Sequence, residues 1–157
     1  MYVRRYTAAD FKSVYALDQV CFTEKFRFSR AMMRRVVGSP GAVVLLACEA
    51  EAGGTEELLG FCAAELAEED GSTWAYVSTL DVSPESQGRG LGQALMTALE
   101  SAARKAGAVC IWLHVYVENG AAVRLYERLG YTQMGREAAF YGAGFDAWLY
   151  RKWFVPA

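Results

Sequence analysis

Leu80-Asp81-Val82-Ser83-Pro84-Glu85-Ser86-Gln87-Gly88-Arg89-Gly90-Leu91-Gly92 is the stretch around which the chain is organised. The alternating residues Trp74, Tyr76, Ser78, Leu80 and Val82 lead into it and predict a strand. Ser83-Pro84 ends that strand, because proline has no N–H to give to a ladder. Gly88, Gly90 and Gly92 then open an alanine-rich helix running to about Ala106. A helix N-terminus presents free amide donors and a partial positive charge, so this junction is a ready anion site. Glycine lets the backbone approach a phosphate, and Gln87 and Arg89 add side-chain donors. The spacing G-x-G-x-G is not the dinucleotide G-x-G-x-x-G, and no G-K-[ST] follows as a P-loop requires. The plainer alternative is a glycine-rich turn with no ligand.

Length and composition bound the rest. The 157 residues suit one domain, and 54% apolar with 22% charged residues is ordinary for a soluble globular protein. A formal net charge of −2 provides no field to recruit nucleic acid or an anionic membrane. The longest apolar run, Ala42 to Cys48, is too short to span a bilayer, and the N-terminus lacks a signal-peptide core. Cys21, Cys48, Cys62 and Cys110 show no C-x-x-C spacing, and there is one histidine, so a zinc site is not expected. Buried free thiols in a reducing cytoplasm are.

Residues 2–6 read as a strand, and Thr7 to Asp10 start a helix in which Phe11, Val14, Leu17 and Cys21 recur at helical spacing. Ser29 caps a second helix, Arg30 to Val37, ended by Gly38-Ser39-Pro40. The aromatic linker Cys21 to Phe28 either plugs the core or rims a substrate site. Ala42–Ala50, Leu58–Ala67 and Thr73–Val82 predict an antiparallel meander, with turns at Gly53-Gly54 and Glu68-Glu69-Asp70-Gly71. After the glycine loop and its helix, Val109–Val117 predicts a strand parallel to the one before the loop. Asn119-Gly120 begins a helix to about Leu129, and Tyr131–Arg136 and Phe145–Phe154 are the last strands. The order β-α-α-β-β-β-α-β-α-β-β predicts an α/β fold around one mixed sheet, a single domain over residues 1–157.

Two segments carry a family resemblance. Gln87-x-x-Gly90-x-Gly92, after a strand ending in Val82-Ser83-Pro84, resembles the acetyl-CoA pyrophosphate loop of the GNAT superfamily of N-acetyltransferases. Asn119-x-x-Ala122-x-x-Leu125-Tyr126-x-x-x-Gly130-Tyr131 resembles that family's N-x-x-A-x-x-L-Y-x-x-x-G-F segment. The resemblance implies the GNAT fold, a mostly antiparallel sheet of about seven strands with a splayed parallel central pair and about four helices. It also implies acetyl-CoA as co-substrate. The Leu80 and Val82 backbone would hold pantetheine, Gln87, Gly88, Arg89, Gly90, Leu91 and Gly92 the pyrophosphate, and Asn119 the pantetheine region. Tyr126 would be the general acid for the departing thiolate, its alternative being a core aromatic.

Leu113-His114-Val115-Tyr116-Val117-Glu118-Asn119 is a narrower match, similar to the L-H-V-x-x-x-N of NatE-type protein N-terminal acetyltransferases. The bacterial ribosomal-protein alanine acetyltransferases carry L-E-V-R-x-x-N there. The resemblance makes His114 the general base and Tyr76 its helper in positioning a water, although a lone strand histidine is often structural. Phe22 and Phe26 fall on the pocket around the acceptor's first residue, and Phe140-Tyr141 with Asp146-Ala147 on the peptide clamp. Phe140 in place of tyrosine, Thr23 and the short Gly142-Ala143-Gly144 loop depart from the pattern.

The residue types suit the chemistry. An α-amine of pKa about 7.7–8.0 loses its proton at neutral pH for about 1 kcal/mol, against about 4–5 kcal/mol for a lysine. An imidazole can take that proton, a contribution of about 10²–10⁴-fold. A thiol leaving group needs modest acid assistance, and positioning and backbone amides supply the rest, without a metal. The sequence therefore predicts a cytoplasmic acetyl-CoA-dependent N-acetyltransferase, monomer or homodimer, acting on a protein or peptide N-terminus by direct transfer. The rivals are the same fold acting on a small amine or lysine side chain, and a non-catalytic acyl-CoA-binding domain.

Overall fold

In a computed structural model, which describes residues 1–155, the periodic segments become strands and helices in the predicted order. Strand β1 (Tyr2–Arg5) leads through one 3-10 turn into helix α1 (Phe11–Cys21), and α2 (Arg30–Gly38) follows. The meander is β2 (Ala42–Ala50), β3 (Glu56–Glu69) and β4 (Ser72–Val82). Helix α3 (Leu91–Lys105), β5 (Ala108–Tyr116), α4 (Gly120–Arg128), β6 (Thr132–Glu137) and β7 (Ala147–Trp153) complete the order. β3 is longer than the sequence predicts. Asp70 and Gly71, both at positive φ, form a two-residue hairpin loop, so Glu68 and Glu69 pair with Thr73 and Ser72 instead of turning.

The sheet runs β1-β2-β3-β4-β5-β7-β6. Among the described residues only β4 and β5 are parallel neighbours; the other adjacent pairs are antiparallel. β7 rather than β6 lies beside β5. Thr132-Gln133-Met134-Gly135-Arg136-Glu137 is exposed along its whole length and suits an edge, whereas Ala147 and Tyr150 of β7 are buried. Helix α3 buries Leu91, Leu95, Met96, Leu99 and Ala103 against one face of the sheet. On the opposite face α1 and α2 bury Val14 and Met33 over Val44, Leu46, Phe61 and Ala63.

Two features of β4 shape the centre. Its ladder with β5 stops at Val77↔Leu113, yet β4 runs on to Val82 and β5 to Tyr116, so the parallel pair splays as predicted. Next to that point the β3 ladder shifts between Ala63↔Thr79 and Ala64↔Val77, which leaves Ser78 as a bulge. The extra residue reverses the alternation. Ala75 and Val77 face α3, and so do Leu80 and Val82; Tyr76 and Asp81 both face the α1 side. The sequence places Tyr76, Leu80 and Val82 on one alternating face, and the bulge corrects this.

Candidate active site

The opening between β4 and β5 is lined by backbone on one side. Ser83 N–H bonds to Leu59 O of β3, so strand alternation turns the Val82 and Leu80 amides away from β3, into the gap. The Val82 carbonyl is already engaged by the Cys21 thiol at 3.3 Å and the Gln87 side-chain amide at 3.5 Å. Burial first, then nearby Asp81 and Asp18, push the Cys21 thiol up to about 12, so it stays a protonated donor.

The glycine loop continues this edge. Gly88 and Gly90 sit at φ +81° and +79°, a region that side chains avoid, and open space surrounds the position of a Cβ at each. Gly90 is the N-cap of α3 and has no side chain to occupy the first-turn amides. These open amides and the free β4 edge fit a pyrophosphate followed by an extended amide-bearing arm. The other loop residues divide their roles. Leu91 is a core residue, and Gly92 lets α3 approach α4, because a Cβ there would meet Leu125 at 3.1 Å. Arg89 is paired with Glu49 at 3.3 Å on the surface. Asn119 caps α4, its Oδ1 accepting from Ala122 N–H at 3.3 Å, and its side-chain NH₂ remains to donate.

On the α1 side of the sheet, Trp112, His114 and Tyr116 of β5 form a row beside Tyr76. The Tyr76 hydroxyl lies 2.8 Å from His114 Nδ1, and Glu137 Oε2 of β6 lies 2.6 Å from Nε2. The Phe140 ring stacks on the imidazole at 3.9 Å. Next to it Phe26 packs against Tyr116, Tyr141 and Phe145 at 4.9, 5.1 and 5.8 Å. Lys25 crosses from the α1–α2 linker over the Phe145 ring and against Gly142, so two loops meet over the row. Asp146 holds the second loop by accepting from Arg136 and from Ala139 N–H.

Tyr126 projects from α4 into the α3-side core beside Tyr131, and its hydroxyl bonds to no other described residue. Burial, reinforced by the neighbouring Tyr141 hydroxyl, raises its pKa and that of Tyr76, so both remain protonated. Tyr141 is itself pushed up to about 12 by burial.

A buried carboxyl pair lies between α1 and β4. Asp81 accepts from the Thr79 hydroxyl, and Asp18 Oδ2 accepts from Phe28 N–H at 2.7 Å. Asp18 Oδ1 and Asp81 Oδ2 are both sealed from solvent without another donor. A proton between them satisfies both, and burial followed by the bond to Asp18 raises the Asp81 pKa well above the carboxylate range. The pair ties α1 to β4 and anchors the end of the aromatic linker.

The structure thus brings Tyr76, His114, Phe26 and Tyr141 together at the splay. Phe22 lies apart, half-buried at the C-cap of α1 with no ring stacked against it among the described residues. Its neighbour Asp18 takes the Phe22 N–H on the backbone, which turns the chain there. Sequence reasoning missed Glu137 and the Asp18–Asp81 pair, whose partners meet only across strands and layers, and left Tyr116 and Phe145 without a role. No group of three or more His, Cys, Asp or Glu arranged to hold a metal ion occurs among the described residues. No helix among them is long and apolar enough to cross a membrane.

Comparison with known proteins gives this geometry a context. The model of the acetyltransferase (GNAT) family matches residues 11–131. Over 96 residues the chain is 34% identical to a mycothiol acetyltransferase of Propionibacterium freudenreichii subsp. shermanii, covering 61% of this chain and 30% of that protein. Over 59 residues it is 39% identical to the ribosomal protein bS18-alanine N-acetyltransferase of Escherichia coli K12, covering 38% of this chain and 40% of the relative. The chain spans less than half the length of these curated relatives. The crystal structure of Arabidopsis thaliana NAA60 with a bisubstrate analogue superposes with a TM-score of 0.84 at 25% identity, covering 97% of each chain.

Proposed function

The chain belongs to the acetyltransferase (GNAT) family, and from that premise we propose that it moves an acetyl group from acetyl-CoA to the α-amino group of a protein or peptide N-terminus, by direct transfer in a ternary complex. The observation that carries this reading is the Tyr76–His114 pair at the splay, roofed by Phe26, Phe140 and Tyr141. A thioester supplies an activated acyl group whose carbon an uncharged amine can attack.

The chain's residues divide the work. The open first-turn amides of α3 with Gln87 to Gly92 bind the pyrophosphate, and the β4 edge with Asn119 aligns the arm. The Val82 amide donates toward the thioester carbonyl as negative charge develops there. Tyr76 and His114 take the proton lost by the amine. Tyr126, kept protonated by its burial, gives a proton to the departing sulfur. The aromatic cluster around Phe26 excludes water and receives the acceptor's first side chain, and Tyr141 contacts its backbone. Four free thiols, three of them buried, suit a reducing cytoplasm.

The test is acetyl transfer to a peptide library varying the first two residues, with free lysine and polyamines alongside. CoA release with one preferred N-terminus is the expected result. Transfer to the small amines alone would move the function to a second reading, acetylation of a small molecule, which the relative named for mycothiol favours. Tight acetyl-CoA binding without transfer to any acceptor would instead favour a binding domain.

A further inference from the structure

Both ring nitrogens of His114 are engaged, and one partner lies outside every motif in the sequence. Nδ1 faces the Tyr76 hydroxyl and Nε2 faces the Glu137 carboxylate. An ionised carboxylate can only accept, so Nε2 carries a proton. In the neutral ring Nδ1 is then the acceptor, and Tyr76 Oη–H the donor. Turning the ring over would set carbon against both partners, so the two bonds fix its orientation. The imidazole side chain is 9% exposed, whereas Glu137 at 57% reaches it from the solvent side of an edge strand.

The ring has few other polar neighbours. Tyr76 from β4 and Glu137 from β6 are the titratable groups bonded to it, and Tyr141 stands close to Tyr76. Phe140 and Trp112 cover it with aromatic surface, and its β7 partner is Leu149. Arg136, adjacent to Glu137, is committed to Asp146 and the Trp148 ring. No nitrogen lone pair of His114 therefore remains to face an acceptor. The lone pairs of the dyad that are still free are those of Tyr76 Oη.

We propose that Glu137 is a positioning residue that locks His114 in the Nε2–H tautomer, and that Tyr76 Oη, rather than the imidazole, receives the proton from the acceptor amine. The proposal rests on the acetyltransferase reading above. As the amine nitrogen bonds to the acyl carbon and the carbon–sulfur bond breaks, the amine proton passes to Tyr76 Oη. The Tyr76 proton moves to Nδ1 in the same event. The imidazolium is held by the Glu137 side chain and returns its extra proton to solvent. Tyr126 protonates the sulfur and is reprotonated from solvent.

The single histidine makes the tautomer directly readable, without any acceptor, by long-range ¹H–¹⁵N correlation on uniformly ¹⁵N-labelled protein. Wild type should show one tautomer, protonated at Nε2, with a slowly exchanging ring proton. Glu137→Ala should lose the slow exchange and show averaged tautomers, and Glu137→Gln, whose amide oxygen still accepts, should keep the wild-type pattern. Identical spectra for wild type and Glu137→Ala would overturn the lock, whether or not an acceptor has been found. With a peptide from the library, Glu137→Ala should lower kcat about tenfold at unchanged acetyl-CoA KM, with Glu137→Gln restoring most of it. The same substitution in a His114→Ala background should have no further effect; an equal loss there would mark a merely structural residue. Tyr76→Phe should cost as much as His114→Ala, and a Tyr76→Phe enzyme that keeps most of its rate would overturn the relay.

Discussion

In the proposed reading the splay has a donor side for acetyl-CoA and an acceptor side for the amine, and the two are built by different means. The donor side is backbone: the outer edge of β4, the left-handed glycines and the first turn of α3, all within Leu80 to Gly92. The acceptor side is side chains from β4, β5, β6 and two loops, with Phe26 and Glu137 more than 100 residues apart in the chain meeting over one strand. A phosphate-bearing arm common to a whole family can be held by amides that every residue type carries. An acceptor has to be told from its competitors, and that needs side-chain shape and placed polar groups.

This contrast is most sharply tested by separating chemistry from cofactor binding. His114→Ala should lower kcat by about 10²–10⁴-fold. Acetyl-CoA affinity, measured by calorimetry, should stay within about twofold, since no donor-side group touches the imidazole. A joint loss would mean that the two sides are not independent. Gly90→Leu is the converse. It forces a bulky side chain to φ +79° in the mouth of the cradle, and should weaken acetyl-CoA binding on the order of 100-fold, about 2.7 kcal/mol. Retained tight binding would remove the pyrophosphate from this loop.

Phe26→Ala should act on the acceptor alone. Opening the contacts with Tyr116, Tyr141 and Phe145 should raise the acceptor KM about tenfold and flatten the preference for the first residue, with little change in acetyl-CoA KM. Phe22→Ala serves as the control, because its ring lies outside that cluster.

The smallest effect concerns stability. Asp81 holds a proton in the folded chain and releases it at ordinary carboxylate pH when unfolded, so the folded state binds more protons above pH ~4. Its contribution is therefore fully present below the unfolded pKa and is lost as pH rises through the raised folded value. Asp81→Asn keeps a donor toward Asp18 without that proton. Its unfolding midpoint should exceed wild type at pH 8 by roughly 2–4 °C, the shift that about 1 kcal/mol gives a domain of this size, and the two should converge near pH 4. A gap independent of pH would mean that the carboxyl pair does not share a proton.

The two sides were also unequally legible. Periodicity and glycine spacing are local signals, so the element order and the glycine-opened start of α3 could be read directly. β3 was underestimated because Glu68 and Glu69 look like turn residues until Asp70-Gly71 takes the turn alone. The place of β7 beside β5 depends on which of two strands is apolar enough to be covered, a comparison that only the assembled sheet decides. The family motifs name His114 and Tyr76, which the structure sets 2.8 Å apart, and they pair Phe22 with Phe26, whose rings the fold does not stack together.

By itself the sequence determined the elements, their order and the glycine-opened start of α3, because hydrogen bonding, proline geometry and glycine's freedom act over a few residues. Only the tertiary structure decided which side chains share a site. The Ser78 bulge turns Tyr76 and Asp81 onto the same face, against the simple alternation of the strand. Glu137 reaches His114 across β7, and Asp18 meets Asp81 across two layers. Those contacts are set by strand order, by one inserted residue and by the packing of α1, none of which leaves a trace in the spacing of the residues that they unite.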